Sequence, residues 1–241
     1  ETPMHYLDPG NGKTRIGYMW VIGRPGRDAV FRWRTSRAAQ CVKDILPPEF
    51  QGILQTDAYA AYGSFAKDRP KVTMAGCMAH ARRKFIEARE QNVAVGNFFL
   101  GHIRGLYGIE AILRQRKAGA ALRQADRAAC ARPIMARMER ALELLADRFL
   151  PQSNMGKAIA YARTIWPSLQ VYLDEGRVEI DNNFIENAIR PTAIGKKNWL
   201  FIGGAEAGKK SAILYTILES CRRRGIDPLE YLHDVLTRLP R

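Results

Sequence analysis

The sequence predicts an α/β protein, and three observations carry that expectation. Residues 1–80 alternate short apolar runs with Gly, Pro and Asn turns, the pattern of strands. Residues 81–176 read as helices, with Ala, Leu, Met and Arg, which favour helices, dominant around Leu122–Leu150. Residues 177–241 combine a short apolar stretch with helix caps and two further helical patterns. The chain has 241 residues, enough for one large domain or two small ones.

The strands come first. Met4 to Leu7 is apolar and is followed by the turn Asp8-Pro9-Gly10-Asn11-Gly12. Arg15 to Gly23 follows, with Ile16, Tyr18, Trp20 and Ile22 on one face and Met19 and Val21 on the other. Apolar residues on both faces imply a strand covered on both sides. After Arg24-Pro25-Gly26-Arg27, Phe31 and Trp33 alternate with Arg32 and Arg34, as in a half-exposed strand. Three strands joined by short turns predict an antiparallel meander. A helix over Ala38–Leu46 stops at Pro47-Pro48, and Gly52–Gln55 and Val72–Ala75 are the fourth and fifth strands.

Helices follow over Ala81–Arg89, Phe98–Arg116 and within Leu122–Leu150. Residues 112–140 hold eight Arg or Lys against two acids. A solvated helix face and a DNA-facing surface both account for that block. Further on, Asp181-Asn182-Asn183 is a run of helix caps and Trp199–Ile202 a short apolar segment. A helix over Lys210–Arg224 ends in three arginines and Gly225. The last helix opens at Asp227-Pro228-Leu229-Glu230 with a cap, a first-turn Pro and an N3 Glu.

Charge narrows the function. Lys and Arg total 38 against 24 Asp and Glu, a formal +14. That surplus points to a polyanionic partner, most simply nucleic acid. No apolar run approaches the ~18 residues that span a bilayer. Residues 1–20 lack the basic start and apolar run of a signal peptide. Cys41, Cys77, Cys130 and Cys221 lie far apart, which favours a reducing compartment over a disulfide framework.

Four segments carry candidate chemistry. Asp57 sits where an apolar strand gives way to a polar turn in Leu54-Gln55-Thr56-Asp57-Ala58-Tyr59. Such a carboxylate suits a divalent metal, which takes one or two carboxylates plus water and phosphate oxygens, and it also suits a helix cap. Glu186 lies in Asp181-Asn182-Asn183-Phe184-Ile185-Glu186-Asn187-Ala188-Ile189-Arg190-Pro191. Helical spacing puts Asn182, Asn183, Glu186 and Arg190 on one polar face. That face fits a metal and phosphate site, and Asn183-x-x-Glu186 equally fits a capping box. Cys77-x-x-His80 lacks the second ligand pair that zinc needs, but His80 and the Arg82-Arg83-Lys84 run suit a phosphate backbone. Gly203 to Lys209 has the spacing of a P-loop, yet Lys210 stands where the metal-binding Ser or Thr belongs.

These segments together resemble a known family. The matching stretches are Leu54–Tyr62, Ala75-Gly76-Cys77-Met78-Ala79-His80-Ala81-Arg82-Arg83-Lys84-Phe85, Asp181 through Pro191, Lys197-Asn198-Trp199-Leu200-Phe201 and Asp227-Pro228-Leu229-Glu230-Tyr231-Leu232. In this order, and across essentially the whole chain, they resemble the catalytic region of transposases of the insertion sequence sixty-six family.

The resemblance implies a ribonuclease-H-like core, a mixed sheet with an antiparallel three-strand meander, with a large helical insertion and C-terminal helices. On that basis residues 1–90 and 177–241 form the core and residues 91–176 the insertion. It implies an acidic triad of two Asp and one Glu, with Asp57 the second Asp and Glu186 the Glu. The family's opening motif reads Asp-Glu-Thr-Pro and this chain opens at Glu1-Thr2-Pro3, so the first Asp is expected just upstream. Asn187 stands where the family usually has Arg.

The implied activity is phosphodiester hydrolysis and strand transfer during DNA transposition, with two Mg²⁺ ions (Mn²⁺ as substitute). Asp57 and Glu186 are the implied metal ligands. His80, Arg82, Arg83, Arg190, Lys196 and Lys197 are the candidate DNA contacts, and Trp199 has a core or a base-stacking role. Double-stranded DNA at the element ends and target, a homo-oligomeric synaptic complex and a cytoplasmic, nucleoid-associated location in bacteria follow by the same resemblance. The competing readings are a structure-selective nuclease on the same fold and a non-catalytic DNA-binding or assembly remnant.

Overall fold

The structure is a computed structural model that describes residues 1–10, 12–57 and 59–239, with Ala60 described by its backbone alone. Asn11 of the first turn and Ala58 of the Asp57 segment therefore lie outside the described residues. The chain forms two compact units, one of residues 1–48 with 183–241 and one of residues 49–182. The resemblance implies a division at 90/91 and 176/177, with residues 91–176 as a helical insertion. The compact units group the fourth and fifth strands and the helix after them with that stretch.

In chain order, β1 (Thr2–Leu7), β2 (Thr14–Gly23), β3 (Ala29–Arg34) and α1 (Ala39–Ile45) open the first unit. The second unit contains β4 (Gly52–Gln55), α2 (Ala60–Lys67), β5 (Val72–Ala75), α3 (Met78–Ala88) and α4 (Val93–Gln115). It continues with α5 (Ala120–Asp126), a π-helical turn (Arg127–Ala131), α6 (Arg132–Leu144) and α7 (Asn154–Asp174). The chain then returns to the first unit through α8 (Asn183–Trp199), β6 (Phe201–Gly204), α9 (Ala205–Arg224) and α10 (Pro228–Arg238).

The first unit holds a four-stranded mixed sheet of order β3-β2-β1-β6. The expected meander is present: β1 pairs antiparallel with β2, and β2 with β3. Met19 and Trp20 are adjacent on β2 and both buried, so both faces of the sheet are covered there. Ala29, Phe31 and Trp33 turn inward from β3 while Arg32 faces solvent, the half-exposed alternation its sequence predicts. β6 adds to β1 in the parallel sense. The apolar segment 199–202 thus divides: Trp199 ends α8 and Phe201 begins a strand, with Leu200 between them at φ +62°.

Helix α9 lies on β3, and two glycines make that approach possible. A Cβ at Gly17 on β2 or at Gly208 on α9 would overlap the Trp33 ring. Gly208 is the second glycine of the P-loop-like spacing, so its role is helix-on-sheet packing rather than phosphate binding. The Phe31 amide also donates to Thr216 Oγ1 of α9 at 2.9 Å. Gly225, at φ +67°, ends α9 as the sequence predicts, and Ile226 N donates back to Cys221 O at 3.0 Å. Asp227 caps α10 through Leu229 N and Glu230 N at 2.7 and 3.2 Å.

The second unit is helical around a separate parallel pair, β4 with β5, in the register Gly52↔Val72 to Gln55↔Ala75. Its core joins α3, α4, α6 and α7 through Phe85, Phe99, Ile103, Leu106, Met135 and Trp166. Phe85 stacks on Phe99 with ring centroids 4.2 Å apart.

The basic block 112–140 divides: Arg116, Lys117, Arg137 and Arg140 are exposed, and the other four cations are paired. Arg127 is fully buried and pairs with Glu110, Arg123 pairs with Glu110 and Glu179, Arg114 with Glu179, and Arg132 with Asp174. Half of the block's eight cations are therefore bound by carboxylates of the same unit. Among the described residues no helix is long and apolar enough to cross a membrane.

Candidate functional site

Asp57 follows the C-terminal end of β4. The parallel pairing continues one step beyond the strand, where Thr56 N donates to Ala75 O at 3.0 Å. The Gln55 side-chain amide then fastens this end, donating to Gly76 O at 2.9 Å and to Glu179 O at 2.7 Å. Asp57 is partly buried, and its Oδ1 accepts from Tyr59 N at 3.2 Å, which closes a short Asx turn. The residue that caps α2 is Tyr59, with no side-chain cap bond. Asp57 is therefore not the cap that its sequence position also allowed. No cation pairs with its carboxylate among the described residues.

A polar cluster surrounds this edge within the same unit. Tyr161 Oη donates to Asp57 O at 3.5 Å. Burial raises the Tyr161 hydroxyl above its ordinary value, the Cys77 thiol and the Asp57 carboxylate add to that rise, and Arg83 opposes it. Tyr161 thus feels both the candidate acid and one of the candidate phosphate-binding cations. Met78 N donates to Ile180 O at 3.0 Å and Asn182 N to Cys77 Sγ at 3.5 Å, which pins the start of α3 against residues 180–182.

Asp181, 6% exposed, accepts from Tyr107 Oη at 2.6 Å. Burial raises the Tyr107 hydroxyl, and the bond to Asp181 raises it further. The Cys77 thiol is pushed up to about 11, chiefly by burial. At neutral pH it is a neutral packing group. His80 stands in the first turn of α3, its Nδ1 buried without a partner, as is Asn182 Oδ1. Arg82 and Arg83 are exposed on α3 and make no ion pair among the described residues.

Glu186 belongs to the other unit, in the first turn of α8. Ala188, Ile189 and Thr192 form the buried side of that helix. Phe184 and Ile185 press on β2 at Gly23, where a Cβ would lie 3.0 Å from the Phe184 ring and 3.2 Å from Ile185 Cδ1. Spacings of four and seven place Glu186, Arg190 and Lys197 along one stripe away from the buried side. Glu186 is partly buried and makes no hydrogen bond or ion pair among the described residues, so it does not close the capping box its spacing allowed.

The helix does not stop at Pro191, which lies inside it, but runs on to Trp199. Lys196 leaves the stripe: its Nζ lies 3.2 Å from Thr2 Oγ1 and 2.9 Å from Pro3 O. It ties α8 to the start of β1. Glu1 is likewise engaged, its carboxylate 2.6 Å from Arg37 Nε. Trp199 is half-buried and packs with the core of the first unit.

Five residues near these positions carry no functional signal in the sequence: Tyr107, Tyr161 and Asp181 in one unit, and Arg222 and Arg223 in the other. Asp181 lies inside a recognised motif, where it has the pattern of a helix cap. Arg222 and Arg223 have the pattern of a helix C-terminal signature. Tyr107 and Tyr161 are single aromatics inside helices, with no local signal that distinguishes them from core.

Taken singly, each of the two carboxylates is of the oxygen-donor type that a hard divalent cation takes. Asp57 and Glu186 are oxygen donors with no cation partner of their own among the described residues. Among the described residues no three His, Cys, Asp or Glu side chains gather closely enough to hold a metal by themselves.

Comparison with known proteins gives a consistent result. Residues 1–210 match the family model described as Transposase IS66 family, and residues 216–241 match the IS66 C-terminal element. Uncharacterized protein y4qI of Sinorhizobium fredii is 35% identical over 99% of this chain and 47% of its own length. Uncharacterized protein y4jD of the same organism is 32% identical over 99% of this chain and 49% of its own. The chain thus spans about half the length of these curated relatives. No solved structure matches.

Proposed function

This chain belongs to the IS66 transposase family, and we propose that it is the catalytic region of a DNA transposase. In this reading the β1–β3 meander and α8 belong to a ribonuclease-H-like core. Asp57 and Glu186 serve as carboxylate ligands for two Mg²⁺ ions. When bound, such ions neutralise the reacting phosphodiester and activate the attacking hydroxyl of water or of a DNA 3′ end.

The chain's own groups then have defined tasks. The Asx turn through Tyr59 N and the Gln55 clamp hold the Asp57 carboxylate at the end of β4. Arg82, Arg83, Arg190 and Lys197 neutralise backbone phosphates, contacts that fix register and affinity rather than sequence. His80 lies beside Arg82 and Arg83 at the start of α3. Lys196 acts indirectly, holding α8 to β1. The partner is double-stranded DNA, at the element ends and at the target, engaged by a homo-oligomer.

One observation carries the reading. In a chain with a formal +14, Asp57 and Glu186 are partly buried carboxylates to which no Lys or Arg is paired among the described residues. Glu110, Glu179 and Glu219 are instead each held by two arginines, while Asp126 and Glu139 share the unpaired state among the described residues but lie outside the family-matching motifs. Carboxylates kept clear of protein cations are available to metal cations. The test is a Mg²⁺-dependent cleavage and strand-joining assay on element-end DNA with the full-length protein. Asp57→Ala and Glu186→Ala should each abolish both products while DNA affinity is retained. Product formed at the wild-type rate by either variant removes that residue from catalysis.

A further inference from the structure

The first unit carries a surface cavity of about 860 Å³ between α8 and the end of α9, lined by Phe184, Asn187, Arg190, Ile194, Arg222 and Arg223 among others. Pockets of this size take drug-sized groups, more than a lone phosphate. Three guanidinium groups line it. One carboxylate, that of the buried Glu219, offsets them by pairing with both Arg222 and Arg223. Three positive charges less one leave the wall at +2.

The arginines are held in different ways. Arg223 is fixed: Nε bonds Glu219 at 2.6 Å, Nη2 donates to Phe184 O at 3.1 Å, and the guanidinium lies 3.7 Å over the Phe184 ring. Arg222 is aimed but not used up. Its Nε and Nη2 each bond Glu219 at 2.8 Å, which leaves Nη1 with no acceptor among the described residues, and the side chain is largely exposed. Arg190 is exposed and has no partner among the described residues. A guanidinium pre-oriented by a buried carboxylate and free on its outer edge matches the geometry of phosphate oxygens.

Arg190 also belongs to the Glu186 stripe, one helical turn further along α8. A strand whose phosphate is gripped by Arg190 at the Glu186 side therefore continues onto the cavity. Phe184 and Ile194 give the same cavity an apolar part, suited to sugar edges. From these relationships we propose that the cavity is a binding site for the sugar–phosphate backbone of a DNA strand passing Glu186, with Arg190 and Arg222 as its phosphate contacts. This site rests on the reading of the chain as a DNA-acting protein.

The test measures binding of the full-length protein to a short labelled DNA duplex of arbitrary sequence by fluorescence anisotropy across a salt series. Arg190→Ala and Arg222→Ala should each lower the salt slope by about one, and the double variant by about two. Lysine at either position should restore most of the slope. Arg238→Ala, which removes a cation of α10 paired with Asp234, is the charge-matched control and should leave the slope unchanged. Because Arg222 also holds Glu219, Arg222→Gln, which removes the charge but keeps a donor toward that carboxylate, keeps the test readable if Arg222→Ala disturbs folding, which thermal melting reports. A folded Arg222→Ala protein that binds like the control overturns the cavity site alone, and an Arg190→Ala protein that does so also removes Arg190 from the phosphate contacts of the functional reading. A wild-type protein with no salt-dependent DNA binding overturns both the site and the functional reading beneath it.

Discussion

Arg127 and Glu110 meet as a bidentate pair inside the second unit, with Nε 2.7 Å from Oε1 and Nη2 2.9 Å from Oε2. The guanidinium is 0% exposed, and its Nη1 donates to Tyr172 O at 2.7 Å and Glu175 O at 3.1 Å. Every nitrogen of a buried charge is thus engaged, at the π-helical turn that joins α5 to α6. Removing one partner strands the other charge away from water. Arg127→Ala should destabilise the protein by about 3–5 kcal/mol, whereas an apolar pair at both positions should cost far less. Urea unfolding followed by circular dichroism measures both.

The same network sets an acid limit. Burial alone would raise the Glu110 and Glu179 carboxyls, but hydrogen bonds from Arg127 and Arg123 to Glu110, and from Arg123 and Arg114 to Glu179, outweigh it. Both are held below the ordinary value of 4.5. A carboxyl whose folded value lies below its unfolded one contributes stability above the unfolded value and loses it as pH falls through the folded one. Stability should therefore be flat above about pH 5 and fall on acidification below 4.5. Glu110→Gln should flatten that fall, as urea midpoints across a pH series will report.

Trp33 makes two glycines structural. Gly208→Ala places a methyl group into the Trp33 ring at the α9–β3 contact and should cost about 1–3 kcal/mol, the range for overpacking. Gly101 is exposed within α4, and a methyl group added there would meet nothing within 4 Å. Gly101→Ala should stabilise by about 0.5–1 kcal/mol through helix propensity. Thermal melting of the pair gives opposite signs if the packing is as described.

Gln55 clamps the end of β4 through two carbonyls, Gly76 O and Glu179 O. Gln55→Ala should lower stability by about 1–3 kcal/mol, because both acceptors lose their donor. It should also slow DNA cleavage while leaving DNA affinity unchanged, since it repositions Asp57 without touching a phosphate contact. A cleavage rate equal to wild type would detach Asp57 from this clamp.

Much of the secondary structure is legible in the sequence. β4 and β5 fall on the predicted residues because each is a short apolar run bounded by breakers. The meander and the caps of α9 and α10 are legible for the same local reason. The parallel pairing of β6 with β1 is not, because it joins residues almost 200 positions apart and no local pattern encodes it. Pro191 is a helix-breaking signal by itself, yet tertiary packing of Ala188, Ile189 and Thr192 carries α8 through it to Trp199.

The basic block misleads in another way. Its charge is visible, but the carboxylates that claim it, Glu110, Glu179 and Asp174, come partly from distant segments. For the candidate site, the family-like motifs single out Asp57 and Glu186 as candidates. The clamp, the Tyr107–Asp181 bond and the Arg222–Glu219 orientation all depend on packing, which no local pattern encodes.

If Asp57 and Glu186 ligate the same divalent ions, both segments lie beside one metal centre. Iron-directed backbone cleavage of the full-length protein reads that proximity: Fe²⁺ replaces Mg²⁺, and ascorbate with peroxide generates hydroxyl radicals at the bound ion. Shared ligation predicts cuts around both residue 57 and residue 186, and loss of both sets together in Asp57→Ala and in Glu186→Ala. Cuts confined to one segment, or cuts at residue 186 that survive Asp57→Ala, would contradict it.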